Sequence, residues 1–169
     1  PDDYLTIQDA IDDVPNGYQI IVRDGTYDGN LDMKGKAVVL QSENGSKNCI
    51  INSNAQGRGI VCQTAETKET IIDGFTITNG WADGGGIACF GASPTIRNCI
   101  LSQNIADQFG GGFYCQNGEP FLENCQIIQN NGGGVYCLNA SPKIIRCLIE
   151  QNITSKNGGG IYCQKSNPR

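Results

Sequence analysis

The sequence predicts an all-β solenoid of about six coils with a short helix closing its N-terminal end. Three observations predict it. The phrase Gly132-Gly133-Gly134-Val135-Tyr136-Cys137 recurs as Gly84-Gly85-Gly86-Ile87-Ala88-Cys89, Gly110-Gly111-Gly112-Phe113-Tyr114-Cys115 and Gly158-Gly159-Gly160-Ile161-Tyr162-Cys163, with a weaker copy at Gly57-Arg58-Gly59-Ile60-Val61-Cys62. The copies lie 22 to 27 residues apart and contain short β-rich runs and turns with no helical period. A unit that small cannot bury its own apolar face and must stack on its neighbours. Aligning the copies then gives columns of like residues, each a wall with one residue per coil at about 4.8 Å spacing.

The first element is the helix. Thr6 is a suitable N-cap and Asp9 sits near the positive end of the helix dipole. Ile7, Ala10, Ile11 and Val14 share one face, and Pro15-Asn16-Gly17 stops the helix. It is placed to cover the open edge of the first coil, which would otherwise invite aggregation. Two β-rich runs follow, Tyr18 to Arg23 and Lys36 to Gln41, with turn signals at Asp24-Gly25 and Asp28-Gly29 around Thr26-Tyr27.

From Asn48 onward the repeat takes over. Two cysteine series appear: Cys62, Cys89, Cys115, Cys137 and Cys163 after the glycines, and Cys49, Cys99, Cys125 and Cys147 at a second strand, with Phe75 in one cysteine slot. The apolar columns are Ile60, Ile87, Phe113, Val135 and Ile161; Ile72, Ile96, Leu122 and Ile144; and Ile51, Ile77, Leu101, Ile127 and Ile149. Strand alternation points Ile87 and Cys89 inward and residue 88 outward. An Asn column (Asn54, Asn104, Asn130, Asn152, with Gly80 replacing one member) suits tight corners, because Asn tolerates left-handed backbone and bonds to its stacked copy. The triple glycines suit a bend with close chain approach. Pro94, Pro120 and Pro142 precede strands, where a missing N–H does least harm.

At 169 residues the chain is one domain, read as a helical cap over 1–17 and coils over 18–169. The net charge of −5 without His speaks against a nucleic-acid partner. The absence of any apolar run of 18 or more residues speaks against a transmembrane helix. The chain starts at Pro1-Asp2-Asp3 without a Met or a signal peptide and stops inside a repeat at Lys165-Ser166-Asn167-Pro168-Arg169. That reads as a piece of something longer, with coils continuing past the C-terminus. The uncapped last coil is then expected to meet another coil, another domain or another molecule.

The chain resembles the right-handed, single-stranded parallel β-helices of the pectate-lyase-like superfamily, in particular the Cys-rich repeat modules of large bacterial surface or secreted proteins. The residues that carry the resemblance are Thr6-Ile7-Gln8-Asp9-Ala10-Ile11 leading into Ile20-Ile21-Val22-Arg23-Asp24-Gly25-Thr26-Tyr27, then Ile71-Ile72-Asp73-Gly74-Phe75-Thr76-Ile77-Thr78-Asn79-Gly80, then the repeated glycine–cysteine phrases and the phrase Ser93-Pro94-Thr95-Ile96-Arg97-Asn98-Cys99 with its copies. The resemblance implies the fold and a secreted or cell-surface setting. It leaves activity open, because the superfamily holds lyases, hydrolases, adhesins and spacers.

Several constellations bear on chemistry. Nearest cysteines such as Cys89 and Cys99 are ten residues apart on different walls, unlike a metal-binding Cys pair. They read as buried core thiols, with disulfides or a metal as the alternatives. Lys47, Asp73, Arg97 and Glu123 precede the second cysteine series by two residues and would alternate in sign along one outer wall. A lyase of this superfamily would need acids holding Ca²⁺ and an Arg or Lys base, for which Asp73 and Arg97 are the candidates. Tyr114, Tyr136 and Tyr162 form an outward column, and Trp81 and Phe109 lie in loops of unequal length before the glycines (81–83, 105–109, 131, 153–157). Aromatics on such loops suit sugar binding, the alternative being that stacked Tyr simply covers a sheet face. The glycine loops do not precede a helix, which removes the nucleotide-binding context, and no flat Thr array exists for ice binding. Asn44-Gly45-Ser46, Asn139-Ala140-Ser141 and Asn152-Ile153-Thr154 match glycosylation sequons.

The sequence therefore favours a non-catalytic module, structural, adhesive or self-assembling through its last coil, with polysaccharide as a partner at Trp81, Phe109, Tyr114, Tyr136 and Tyr162, and no cofactor or metal. The competing reading is a polysaccharide lyase or hydrolase domain, with Ca²⁺ if a lyase, whose catalytic residues lie partly outside this segment.

Overall fold

The computed structural model describes residues 4–169, so Pro1-Asp2-Asp3 lies outside the described residues. The chain winds through three parallel sheets of six strands each, a right-handed solenoid of about five full turns. The first sheet holds β1 (Gln19–Val22), β4 (Val39–Ser42), β7 (Ile71–Asp73), β10 (Thr95–Arg97), β13 (Phe121–Glu123) and β16 (Lys143–Ile145). The second holds β2 (Gly25–Asp28), β5 (Cys49–Asn52), β8 (Thr76–Thr78), β11 (Ile100–Ser102), β14 (Gln126–Ile128) and β17 (Leu148–Glu150). The third holds β3 (Leu31–Asp32), β6 (Ile60–Cys62), β9 (Ile87–Phe90), β12 (Phe113–Gln116), β15 (Val135–Leu138) and β18 (Ile161–Gln164). The apolar columns stack in register, as in Ile87↔Phe113↔Val135↔Ile161 and Ile72↔Ile96↔Leu122↔Ile144. Burying each such side chain contributes roughly 1.5–3 kcal/mol. β2 is a strand where the sequence marked only turn signals around Thr26-Tyr27, and β3 is a short strand that the sequence did not mark.

Helix α1 (Ile7–Asp13) starts where Thr6 Oγ1 accepts a hydrogen bond from Asp9 N at 3.0 Å. Ile7, Ala10 and Ile11 are buried in the main core. Gln8 does more than sit on the edge. Its side-chain amide accepts from Asp32 N at 2.9 Å and donates to Asp32 O at 3.1 Å, standing in for a neighbouring strand beside β3.

Each repeat turns at three corners, and each corner has its own left-handed residue. Between the first and second sheets these are Gly74, Asn98, Asn124 and Arg146; between the second and third, Asn79, Gln103, Gln129 and Gln151; after the third, Gly91, Asn117, Asn139 and Lys165. The Asn column is corrected accordingly. Asn104, Asn130 and Asn152 do bond to their stacked copies, but the left-handed residue is the one before each. Asn54 is not in the ladder: it is exposed, left-handed itself at φ 49°, and donates to Asp28 Oδ1 at 3.3 Å.

Two glycines show why the GGG phrase recurs. Gly110 takes φ 66°, where a Cβ would lie 2.6 Å from Phe113 O. Gly86 has ordinary φ, but a Cβ there would overlap the carbonyl oxygen of Gly112 in the next coil.

Of the nine cysteines, all free, seven are buried, Cys147 is half-buried and Cys163 is exposed. The first series stacks in register as Cys62↔Cys89↔Cys115↔Cys137↔Cys163. Burial, with Asp24 nearby, pushes the Cys49 thiol up to about 11, and burial pushes Cys115 up to about 12. These thiols behave as small apolar core residues.

Candidate functional site

The outer wall of the first sheet holds Asp73 and Arg97 in adjacent coils, paired in register. Arg97 Nε donates to Asp73 Oδ2 at 2.8 Å, and Asn98 Nδ2 donates to Asp73 Oδ1 at 2.7 Å. Asp73 is 7% exposed and both of its oxygens are engaged. Arg97 lies in register with Glu123, which pairs with Arg146. The charge ladder thus exists, but Lys47 is not its first rung. Gln41 occupies that register opposite Asp73, because residues 43–48 separate β4 from β5. This donor set does not fit a Ca²⁺ ion: Asp73 is taken by Arg97 and Asn98, Glu123 by Arg146, and among the described residues no three acidic or Cys groups converge on a common point.

The outer wall of the third sheet carries the Tyr column in register with Ala88 and Val61. Alternation turns it outward, yet Tyr114 is 9% and Tyr136 4% exposed. The loop after β11 accounts for this. Asp83 Oδ1 accepts from both Gln108 N and Phe109 N at 3.0 Å, folding Phe109 over the Tyr column. Phe109 stacks on Tyr136 at 4.4 Å and faces Tyr162 at 5.9 Å, while Phe90 lies 5.5 Å from Tyr114. The Tyr114 and Tyr136 hydroxyls donate to Gln116 Oε1 and Gln164 Oε1. Burial, together with the next Tyr in the stack, raises the phenol pKa of both. These two rings are therefore not open platforms; they build a second small apolar layer outside the sheet. Phe109 and Tyr162 keep partial exposure at its margin.

The open surface lies at the corner between the second and third sheets. Trp81, Ile105, Asn131 and Ile153, the first residues of the four unequal loops, bridge one another in parallel and form a continuous column. Trp81 is 52% exposed and Ile153 65%. Beside them runs the left-handed column Asn79, Gln103, Gln129 and Gln151, all exposed. Gln129 Nε2 donates to Gln151 Oε1 at 3.1 Å, and Asn79 Nδ2 to Asn52 Oδ1 at 3.1 Å. A shallow trough of about 190 Å³ opens at the head of the strip between Asn54, Asn79, Trp81, Gln103 and Ile105. Trp81 Nε1 points to Asp107 Oδ1 at 3.4 Å. The amide column escaped notice in the sequence, although its signal was there: Gln-Asn recurs at 103–104, 129–130 and 151–152. The Asn152 sequon is spent internally, since the Asn152 amide bonds to Ile127 O and accepts from Asn130.

The right-handed β-helix region family model matches residues 16–168, and the chain belongs to that family. Searches of curated proteins and of solved structures found no match. No helix among the described residues is long and apolar enough to cross a membrane.

Proposed function

We propose that this β-helix domain is a non-catalytic module of a secreted or cell-surface protein, structural and adhesive in role, which binds polysaccharide along the corner headed by Trp81. The observation that carries this reading is Trp81 itself: the one Trp of the chain stands half exposed above an amide-lined trough on a rigid, register-locked wall. An exposed indole offers an apolar face to the C–H surface of a sugar and a polar edge to its hydroxyls. The acid and base that a lyase reading would call on, Asp73 and Arg97, are engaged with each other, which supports a role without turnover.

Incubation with a panel of neutral and acidic polysaccharides, with and without Ca²⁺, tests the reading. Co-sedimentation with polysaccharide and no release of reducing ends or unsaturated products is expected. Product release would replace this reading with the lyase or hydrolase one.

A further inference from the structure

We infer that the corner strip takes an uncharged, extended polysaccharide lying parallel to the solenoid axis, with one sugar per coil. The inference rests on the polysaccharide reading above and specifies its ligand. Trp81, Ile105, Asn131 and Ile153 are bridged residue to residue, so their spacing is the strand spacing of about 4.8 Å. An extended β-1,4-linked chain advances by nearly that distance per sugar, whereas a coiled α-linked chain does not. Beside each member of the column stands one exposed amide, Asn79, Gln103, Gln129 or Gln151, each on a left-handed residue with φ between 55° and 57°. An amide presents donors and an acceptor together, which is what a ring of hydroxyls requires and what a row of ammonium groups does not provide. The bond between Gln129 and Gln151 holds two of these amides in place before any ligand arrives and leaves each with capacity to spare.

Charge decides between neutral and acidic polymers. Asp107 lies against Trp81 and Asp28 against Asn54, so carboxylates border the trough. The nearby cations face the third sheet instead: Arg58 lies 5.3 Å from the Phe90 ring centre and Lys156 4.7 Å from that of Phe109. A polyuronate laid on the strip would meet repulsion with no cation to offset it. A neutral chain would meet an indole face, two Ile side chains and a row of amides.

Because Trp81 is the chain's one Trp, its emission reports on this strip alone. Titration is done with cellohexaose, with the series from cellobiose upward, and with hexagalacturonate. The expected result is a Trp81 response to cellohexaose and little to hexagalacturonate. Affinity should rise with length up to cellotetraose, one sugar for each of the four column residues, and then level off. Gln129→Gly, chosen because glycine accepts the left-handed backbone, should weaken cellohexaose binding by about three- to tenfold. Gln129→Asn, which keeps an amide, should weaken it less, and thermal melts establish that both variants fold. A preference for hexagalacturonate would overturn the uncharged ligand while leaving polysaccharide binding in place. Cellohexaose binding that ignores chain length beyond two sugars, or ignores Gln129→Gly, would overturn the register. No response to any sugar, with no co-sedimentation on the wider panel, would remove both this inference and the reading beneath it.

Discussion

Asn130 and Gln129 are neighbours in the chain and carry the same amide group, yet they lie on opposite sides of the wall. Asn130 is fully buried. Its Oδ1 accepts from Asn104 N at 3.0 Å and from Asn104 Nδ2 at 3.1 Å, and its Nδ2 donates to Leu101 O and Asn152 Oδ1, both at 2.9 Å. Every donor and acceptor on it is used inside the solenoid. Gln129 takes the left-handed turn that swings the next residue inward, and its own amide is left on the surface. A stacked fold thus puts one chemistry to two uses. The inner amide ladder satisfies backbone groups that the corner would orphan. The outer one repeats the same group outside, at the same spacing, where it is free to meet a ligand.

The largest effect should come from the inner ladder. Asn130→Ala removes the acceptor of buried Asn104 N and the donor to Leu101 O, and should cost about 3–4 kcal/mol. Urea denaturation is the check; a loss under about 1 kcal/mol would mean that the ladder is decoration. Next, Gly86→Ala forces a Cβ against the Gly112 carbonyl in the neighbouring coil and should destabilise by about 2 kcal/mol or more, read as a fall in Tm. Phe109→Ala strips the cover from Tyr136 and Tyr162. It should cost about 1–2 kcal/mol and bring Tyr fluorescence under solvent quenching.

Alkaline pH acts more gradually. The folded chain keeps the Cys115 proton up to about 12, whereas an unfolded chain releases it near 9.0, so the folded state binds more protons in that window. The thiols should leave stability unchanged below pH 9 and lower it as pH rises from 9 toward 12, with Cys49 contributing over the lower part, up to about 11. Melting temperatures across that range measure it, and a flat profile would contradict the buried thiol columns. The smallest effect is Gln129→Gly, which should change stability by less than about 1 kcal/mol while weakening the strip for ligand. If Gln129→Gly destabilised as much as Asn130→Ala, the contrast between the two ladders would fail.

Much of the solenoid was legible in the sequence because a stacked fold writes its core as columns. The Ile and Cys columns each became a register wall, the Asn column did so only at Asn104, Asn130 and Asn152, and Thr6-Ile7-Gln8 correctly placed the cap. The first two coils were harder. Without a glycine phrase, β2 and β3 were indistinguishable from the turns around them, and the excursion at 43–48 displaced Lys47 from the charge ladder. The site was less legible for a different reason. Alternation gives the direction of a side chain, not what covers it, and only the Asp83 bonds to residues 108 and 109 reveal that Phe109 closes over Tyr136 and Tyr162. The outer amides were missed because Gln-Asn reads as one polar corner until the backbone separates an inward residue from an outward one.

The most direct test follows Trp81 emission and product release together while a soluble neutral β-1,4-glucan is titrated into the intact protein. A saturable change in Trp81 emission is expected, with no further change on adding glucan once cellohexaose already saturates the strip, and with no cleavage products. Cleavage, or an emission spectrum that no concentration of glucan alters, would contradict the reading of a non-catalytic, polysaccharide-binding module.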